Sequence, residues 1–160
     1  VPGNIEVFKR IKQAINVPLA TGERDRTIWD VIPYLQERAV DILQPDCAHG
    51  GGLTNMKKIA VLAEAYHVPI APHCIASSLG IAASFHVTAS IPMFLIHESY
   101  ANDLAGALKR SWEVDKEGYA SLPQGPGLGV EVDEAALAKA EPSNYKWPGQ
   151  KHPDGSVADY

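Results

Sequence analysis

The chain has 160 residues, of which 46% are hydrophobic and 21% charged, with a formal net charge of −5 at pH 7. This composition is typical of one soluble globular domain and excludes bulk disorder, and the absence of a basic tract argues against a nucleic-acid partner. Two cysteines without a Cys-x-x-Cys motif exclude a disulfide scaffold and favour a cytoplasmic setting.

Helical and strand patterns alternate along the first hundred residues. Four helices are predicted, and they begin at Asn4, Thr27, Leu53 and Ser78. Four strands are predicted, over residues 17–21, 39–43, 68–71 and 93–96. Because helices and strands alternate strictly, the pattern favours a parallel sheet built from right-handed βαβ units, so the predicted fold class is α/β.

The character of the chain changes after Glu98, where proline and glycine become frequent. One short helix is predicted over residues 133–140, capped by Asp133. The aromatic residues Tyr145, Trp147 and Tyr160 need surfaces to cover, which indicates an ordered tail that wraps over the rest of the fold. We therefore divide the chain into βα units over residues 1–117 and a C-terminal wrapping tail over residues 118–160.

No targeting or membrane segment is expected. Residues 1–4 have neither the basic start nor the apolar run of a signal peptide. Residues 65–97 contain no Asp, Glu, Lys or Arg, but Pro69, Pro72 and Pro92 divide them into short segments. A membrane helix needs roughly 20 continuous apolar residues, so this stretch is predicted to be a buried part of an α/β core.

An ionisable side chain follows each of the four predicted strands. These side chains are Glu23, Asp46, His73 and Glu98. One such residue alone is more often a salt-bridge or capping residue. Ligands and catalytic residues of parallel α/β folds gather at the carboxyl ends of the strands, so four in succession predict a functional site at that edge.

Each of these residue types suits a different chemical role. Glu23 suits a hard cation, which prefers carboxylate oxygen. His73 suits a general base because its ordinary pKa lies near neutral, and Asp46 could hold one of its ring nitrogens. Glu98 could hydrogen-bond a developing oxyanion if protonated, or position the substrate.

For two residues near these strand ends, His49 and Arg24, both a binding role and an ordinary structural role remain open. His49, which precedes three glycines, either contacts a ligand at the same edge or only lines a tight loop. Arg24 is either solvated or binds an anionic substrate. Cys47 and Cys74 lack a base partner and are predicted to be small packed residues. The glycine run lacks the Lys-Ser/Thr ending of a phosphate-binding loop.

Five short motifs, in this order, resemble the second half of the enolase superfamily. They are ATGER at 20–24, LQPD at 43–46, HGGGLT at 49–54, APHC at 71–74 and HES at 97–99. The likeness is greatest to the mandelate racemase/muconate lactonizing enzyme group and, within it, to galactonate dehydratase-like sugar-acid dehydratases. Residues 125–131 and 154–160 also resemble the C-terminus of that group.

The resemblance implies a TIM-type (β/α)₇β barrel that binds Mg²⁺, of which this chain supplies the C-terminal half. By position, Glu23 matches a metal ligand, Asp46 and His73 an Asp-His dyad, and Glu98 the acidic residue of the eighth strand. The implied reaction is dehydration of a sugar acid: His73 removes the proton α to the carboxylate, Mg²⁺ stabilises the enediolate, and the β-hydroxyl leaves as water.

The family's two further metal ligands, a proton donor and a capping domain would all lie upstream of Val1. Because such a barrel needs roughly 250 residues, the expectation is that this chain is part of a longer, homo-oligomeric enzyme and is inactive alone. Three alternatives remain: a hydroxy-acid racemase or epimerase of the same superfamily, a binding module that cannot hold metal, and a flavodoxin-like domain, for which no phosphate loop is present.

Overall fold

The computed structural model describes residues 3–140 and 149–158 of the chain. The helices are α1 (Ile5–Ala14), α2 (Ile28–Gln36), α3 (Gly52–Ala65), α4 (Ser78–Thr88) and α5 (Glu134–Lys139), with a 3₁₀ turn at Leu104–Gly106. The strands are β1 (Ala20–Thr21), β2 (Ile42–Leu43), β3 (Ile75–Ser77), β4 (Tyr100–Asn102), β5 (Leu108–Arg110) and β6 (Val130–Val132). Within these ranges, none of the helices has both the length and the apolar character needed to cross a membrane.

Two helices begin at side chains that accept hydrogen bonds from the first turn, and in a third a first-turn carboxylate accepts one from the residue before the helix. The Asn4 side chain accepts the backbone N–H of Val7 at 3.2 Å, and the Asp133 carboxylate accepts that of Ala136 at 2.9 Å. At the start of α2, the Asp30 carboxylate reaches back to the Thr27 backbone N–H at 2.8 Å. These contacts satisfy N–H groups that have no partner inside the helix, and they confirm the predicted starts.

The four strand positions predicted from the sequence neighbour one another in chain order, and these four are parallel. β1 pairs with β2, and single bridges then join Leu43 to Ile70 and Ile70 to Phe94. A helix lies between each strand position and the next. This is the order of four successive strands in a TIM-type barrel, so the predicted α/β class with parallel strands is confirmed.

The strands themselves differ from the prediction in length and number. The segments predicted at 68–71 and 93–96 each contribute one bridging residue. Pro69 and Pro72 flank the first of these bridges, and proline has no N–H to donate to a ladder. In addition, β3 pairs in parallel with β4, beyond the ends of the predicted strands and in segments for which no strand was predicted.

The core lies on both sides of α3. The α2 residues Val31, Tyr34 and Leu35 pack into a cluster with Leu43, Ile59 and Ile70, all of which are buried. α4 is buried along most of its length, as its small residues predict. The strand residues Leu43 and Ile70 are therefore packed against α2 and α3, which fixes the positions of the second and third strands.

The segment after Glu98 covers α4. Trp112 is 3% exposed and meets Phe85 edge-on, with ring centroids 5.6 Å apart, while Leu128 packs against the same cluster. β5 and β6 form an antiparallel pair that joins residues on either side of the predicted boundary at 117/118. The division into two units stays a prediction, and Tyr145, Trp147 and Tyr160 lie outside the described residues.

Candidate active site

Asp46 is the buried centre of the site. It follows β2 after Pro45 and is 2% exposed. Its Oδ1 accepts the backbone N–H groups of Ala48 at 2.6 Å and of His49 at 2.8 Å. Its Oδ2 lies 2.7 Å from Nδ1 of His73. One oxygen therefore shapes the loop after β2, and the other holds the imidazole ring.

His73 is oriented by that contact. A carboxylate accepts hydrogen bonds, so Nδ1 carries the proton in the neutral ring, and Nε2 is left with its lone pair. Nε2 lies 3.5 Å from Glu23 Oε2 and 4.0 Å from Glu98 Oε2, both longer than a well-formed hydrogen bond. The free nitrogen therefore faces a gap between two carboxylates, where a reacting atom could lie.

Glu23 follows β1 and is half exposed. The residue before it, Gly22, has φ +140°, and a Cβ there would lie 2.8 Å from the backbone N of Gln44. Only glycine allows this close approach of the loop to the residue after β2. Arg24 lies beside Glu23, with its Nε 3.7 Å from Glu23 Oε1.

Glu98 is anchored from the neighbouring segment. Its Oε2 accepts the backbone N–H of Cys74 at 3.3 Å, and its own N–H donates to the carbonyl of Pro72 at 3.3 Å. The two residues on either side of His73 therefore both bond to Glu98. This ladder sets the distance between the Glu98 carboxylate and the imidazole.

His49 borders the same cluster. Its Nδ1 lies 3.8 Å from Asp46 Oδ2, and its ring stacks on that of His73 with centroids 6.3 Å apart. Its side chain is 63% exposed, so it reaches the open side of the site. The structure thus brings together all the residues singled out in the sequence, which are Glu23, Arg24, Asp46, His49, His73 and Glu98.

Burial shifts the pKa of three groups beside this cluster. Burial raises the pKa of the Cys74 thiol to about 12 and also raises that of Cys47, so both thiols are protonated at neutral pH. These two cysteines are free and buried, which fits a packing role. Burial, reinforced by the nearby charge of Asp30, raises the pKa of Asp25 to about 6.

The oxygen and nitrogen atoms at this edge can be compared with the ligands that Mg²⁺ prefers. Donor atoms of Asp46, His49 and His73 lie within 4.8 Å of one another, but both Asp46 oxygens already accept hydrogen bonds. Two of these three donors are nitrogens, whereas Mg²⁺ prefers oxygen. Glu23 and Glu98 are both half exposed at this edge, but Glu98 Oε2 accepts the Cys74 N–H. Glu23 therefore fits as one ligand of a hard cation whose other ligands would come from elsewhere.

One contact at this edge was not anticipated from the sequence. The side-chain amide of Asn55, in the first turn of α3, donates to the carbonyls of Arg26 and Gly50 at 2.5 Å each. It therefore connects the loop after β1 with the loop after β2. The available signal was an amide placed shortly after a glycine run that leads into a helix.

The chain is similar to known proteins both in sequence and in structure. The chain is 36% identical to a D-galactonate dehydratase of Ralstonia pickettii over 97% of its own length. It resembles the crystal structure of a 3,6-anhydro-D-galactonate cycloisomerase from Zobellia galactanivorans, with 31% identity and a TM-score of 0.79 over 88% of this chain. It also resembles a mandelate racemase/muconate lactonizing enzyme-like protein from a Roseovarius species, with 40% identity and a TM-score of 0.77 over 89% of this chain.

These relatives are all longer than the chain. It spans 43% of the Ralstonia dehydratase, 40% of the Zobellia chain and 36% of the Roseovarius chain. Residues 1–136 match the family described as enolase C-terminal domain-like. The resemblance in the sequence motifs is thereby confirmed, and the chain belongs to the enolase C-terminal domain-like family.

Proposed function

We propose that the protein dehydrates a sugar acid in a Mg²⁺-dependent reaction, with His73 as the base. The observation that carries this proposal is the His73–Asp46 pair: Nδ1 is held at 2.7 Å by a buried carboxylate, and Nε2 faces an open gap. The relatives named D-galactonate dehydratases support this reaction class and a sugar-acid substrate.

The reaction begins with transfer of the proton α to the substrate carboxylate to Nε2 of His73. Asp46 holds the ring in the required tautomer and stabilises the imidazolium that forms. The electron pair of the broken C–H bond forms a C=C bond and the bond to the β-hydroxyl breaks. That hydroxyl takes up a proton from the general acid that the family resemblance implies and leaves as water, and the His73 imidazolium later releases its proton to solvent. The resulting enol tautomerises to a 2-oxo acid.

The charges around His73 explain why a cation belongs to this proposal. Glu23, Asp46 and Glu98 all lie within 4 Å of the imidazole nitrogens, and the substrate is itself an anion. Mg²⁺, held in part by Glu23, would supply the positive charge that offsets the second negative charge developing on the substrate carboxylate.

Three further residues contact the substrate in this proposal. Glu98 hydrogen-bonds the developing oxyanion or positions the substrate, because its half-exposed carboxylate faces the same gap as Nε2. Arg24 supplies a cation beside Glu23 for an anionic substrate, and His49 presents an exposed ring at the rim.

The proposal also covers the protein's location, its oligomeric state and its division into units. A cytoplasmic location fits two free cysteines. The resemblance to the family implies a homo-oligomer for the full-length enzyme, and the sequence patterns favour βα units over 1–117 and a wrapping tail over 118–160. Residues 1–160 expressed alone are proposed to lack dehydratase activity. The reason is that Mg²⁺ is usually held by one or two carboxylates plus substrate oxygens, and Glu23 alone would hold it weakly.

Racemisation or epimerisation of a hydroxy acid is the second candidate. It would use the same His73–Asp46 pair, and the likeness to a mandelate racemase/muconate lactonizing enzyme-like protein favours it. The products separate the two: dehydration forms a 2-oxo acid, while racemisation returns the same acid with inverted configuration at the α carbon.

The test is His73→Asn in the full-length protein. We expect loss of α-proton exchange between D-galactonate and D₂O, followed by NMR in the presence of Mg²⁺, while Mg²⁺ affinity measured by calorimetry stays almost unchanged. His67→Asn is a matched control, because His67 is exposed and has φ +57°, which Asn tolerates. Exchange at the wild-type rate in His73→Asn would reject His73 as the base.

A further inference from the structure

The Asn55 side chain lies between the loop that carries Glu23 and the loop that carries Asp46. Its Nδ2 is 2.5 Å from the carbonyl oxygens of both Arg26 and Gly50. A carbonyl only accepts hydrogen bonds, and a side-chain amide has two N–H donors, so the chemistry of the partners fixes which end of the amide faces them. Both donors are used, one on each loop.

Each loop connects this amide to a site residue. In the loop after β1, the Asp25 N–H bonds to the Gly22 carbonyl at 3.1 Å, so the turn that carries Glu23 ends beside Arg26. In the loop after β2, the Gly50 N–H bonds to the Asp46 carbonyl at 2.8 Å.

That second turn is also sterically tight. A Cβ on Gly50 would lie 2.6 Å from the Asp46 carbonyl oxygen, so Gly50 has no room for a side chain. The position of the Gly50 carbonyl is therefore tied to Asp46, and the Asn55 amide contacts the two site loops through short, defined connections.

We propose that Asn55 is a positioning residue that sets the distance between Glu23 and the Asp46–His73 pair by holding their two loops together. This inference rests on the proposed function, in which Glu23 holds the metal and His73 removes the proton. The two groups must act on one substrate, and a misplacement of about 1 Å can cost on the order of 10²-fold in rate. Asn55 touches neither the substrate nor the reacting atoms in this proposal.

Two substitutions remove the donors in different ways. Asn55→Leu keeps a side chain of similar size without any N–H group. Asn55→Asp keeps the shape but places a carboxylate oxygen against two carbonyl oxygens, so it should separate the loops more than Leu does. If Asn55→Asp fails to fold, the Leu variant carries the test.

The same helix offers a matched control. The Lys57 Nζ donates to the Ser90 carbonyl at 2.6 Å and to the Ser90 hydroxyl at 3.1 Å. Ser90 lies between α4 and the bridging residue Phe94, so it precedes that strand position. The site residues follow their strands and therefore lie at the opposite end. Lys57→Met therefore removes an α3 contact of similar kind from a segment without a site residue.

The experiment compares these variants with the wild type in the full-length protein. Amide hydrogen exchange without metal should become on the order of tenfold or more faster in residues 22–27 and 47–52 of both Asn55 variants, and most in Asn55→Asp, since two hydrogen bonds are lost. Mg²⁺ affinity by calorimetry should fall on the order of tenfold. Lys57→Met should leave exchange in both segments and Mg²⁺ affinity at wild-type values.

Wild-type protection of both segments in both Asn55 variants would overturn the proposal. Equal acceleration in Lys57→Met would also overturn it, because the effect would then be a general loss of stability. If the wild type neither binds Mg²⁺ nor dehydrates a sugar acid, the proposed function fails, while hydrogen exchange in the two segments still decides whether Asn55 holds the loops.

Discussion

Asp46→Asn should slow α-proton abstraction strongly while leaving the loop after β2 folded. The backbone N–H groups of Ala48 and His49 donate to Oδ1, and an amide oxygen can still accept both bonds. The substitution alters Oδ2 instead: an amide nitrogen replaces this carboxylate oxygen, which lies 2.7 Å from Nδ1 of His73. An amide nitrogen donates, so Nδ1 of His73 must become an acceptor.

The size of the effect follows from that change of tautomer. When Nδ1 accepts, the ring proton moves to Nε2, and the lone pair that faces Glu23 and Glu98 is lost. In Ser-His-Asp hydrolases the equivalent substitution lowers kcat by about 10⁴, so we expect a loss of about 10³ to 10⁴ here. That factor corresponds to roughly 4 to 5.5 kcal/mol at the barrier. The stability cost should be smaller, about 1 to 2 kcal/mol, because one charge-assisted hydrogen bond is weakened.

The assay is α-proton exchange in D₂O, with urea denaturation to measure stability. Asp41→Asn is the matched control, since the Asp41 carboxylate also accepts a backbone N–H, that of Leu19 at 2.9 Å, and contacts Lys12. Exchange in Asp46→Asn at the rate of Asp41→Asn would refute the tautomer argument. So would an NMR spectrum of the variant in which Nδ1 of His73 still carries the proton.

Two further predictions concern stability. Burial lowers the pKa of His97 from 6.5 to about 4, so between these pH values the unfolded chain binds a proton at His97 and the folded chain does not. The free energy of unfolding should therefore fall as the pH is lowered from 6.5 to about 4. In urea titrations at several pH values, His97→Gln should make this fall smaller. Gly22→Ala should lower the free energy of unfolding by about 2 kcal/mol, because its Cβ would meet the backbone of Gln44 at a φ of +140°. Gly149→Ala should change the free energy of unfolding by no more than about 0.5 kcal/mol, because among the described residues no atom other than those of its chain neighbours lies within 4 Å of the added Cβ.

The shared edge of Glu23, Asp46 and His73 was predictable because it depends on chain order. Apolar segments that alternate with helices become parallel neighbours, and the residue after each segment then lies at the same end of the sheet. The helix starts at Asn4 and Thr27 were predictable for a similarly local reason, since a cap lies within a few residues of the N–H groups that it satisfies.

The contacts that were not predicted join residues far apart in the sequence. Asn55 bonds to a backbone carbonyl 29 residues away, and the identity of Arg26 carries no trace of that bond because any residue has a carbonyl. The pairing of β3 with β4 also depends on backbone groups. Nothing in the sequence around Trp112 identifies Phe85 as the ring against which it packs.

Each site residue on the second and third strand positions is followed by a buried thiol. Cys47 packs with Met56 and Val87, and Cys74 packs with Ile81 and Phe85. A slip of the backbone by one residue would therefore place a carboxylate or an imidazole in an apolar cluster without its hydrogen-bond partners, and would put a thiol in its place at the site, at a large cost in free energy. The buried cysteines therefore favour the native register, because a chain shifted by one residue would lose the packing of both thiols as well as the contacts of the site.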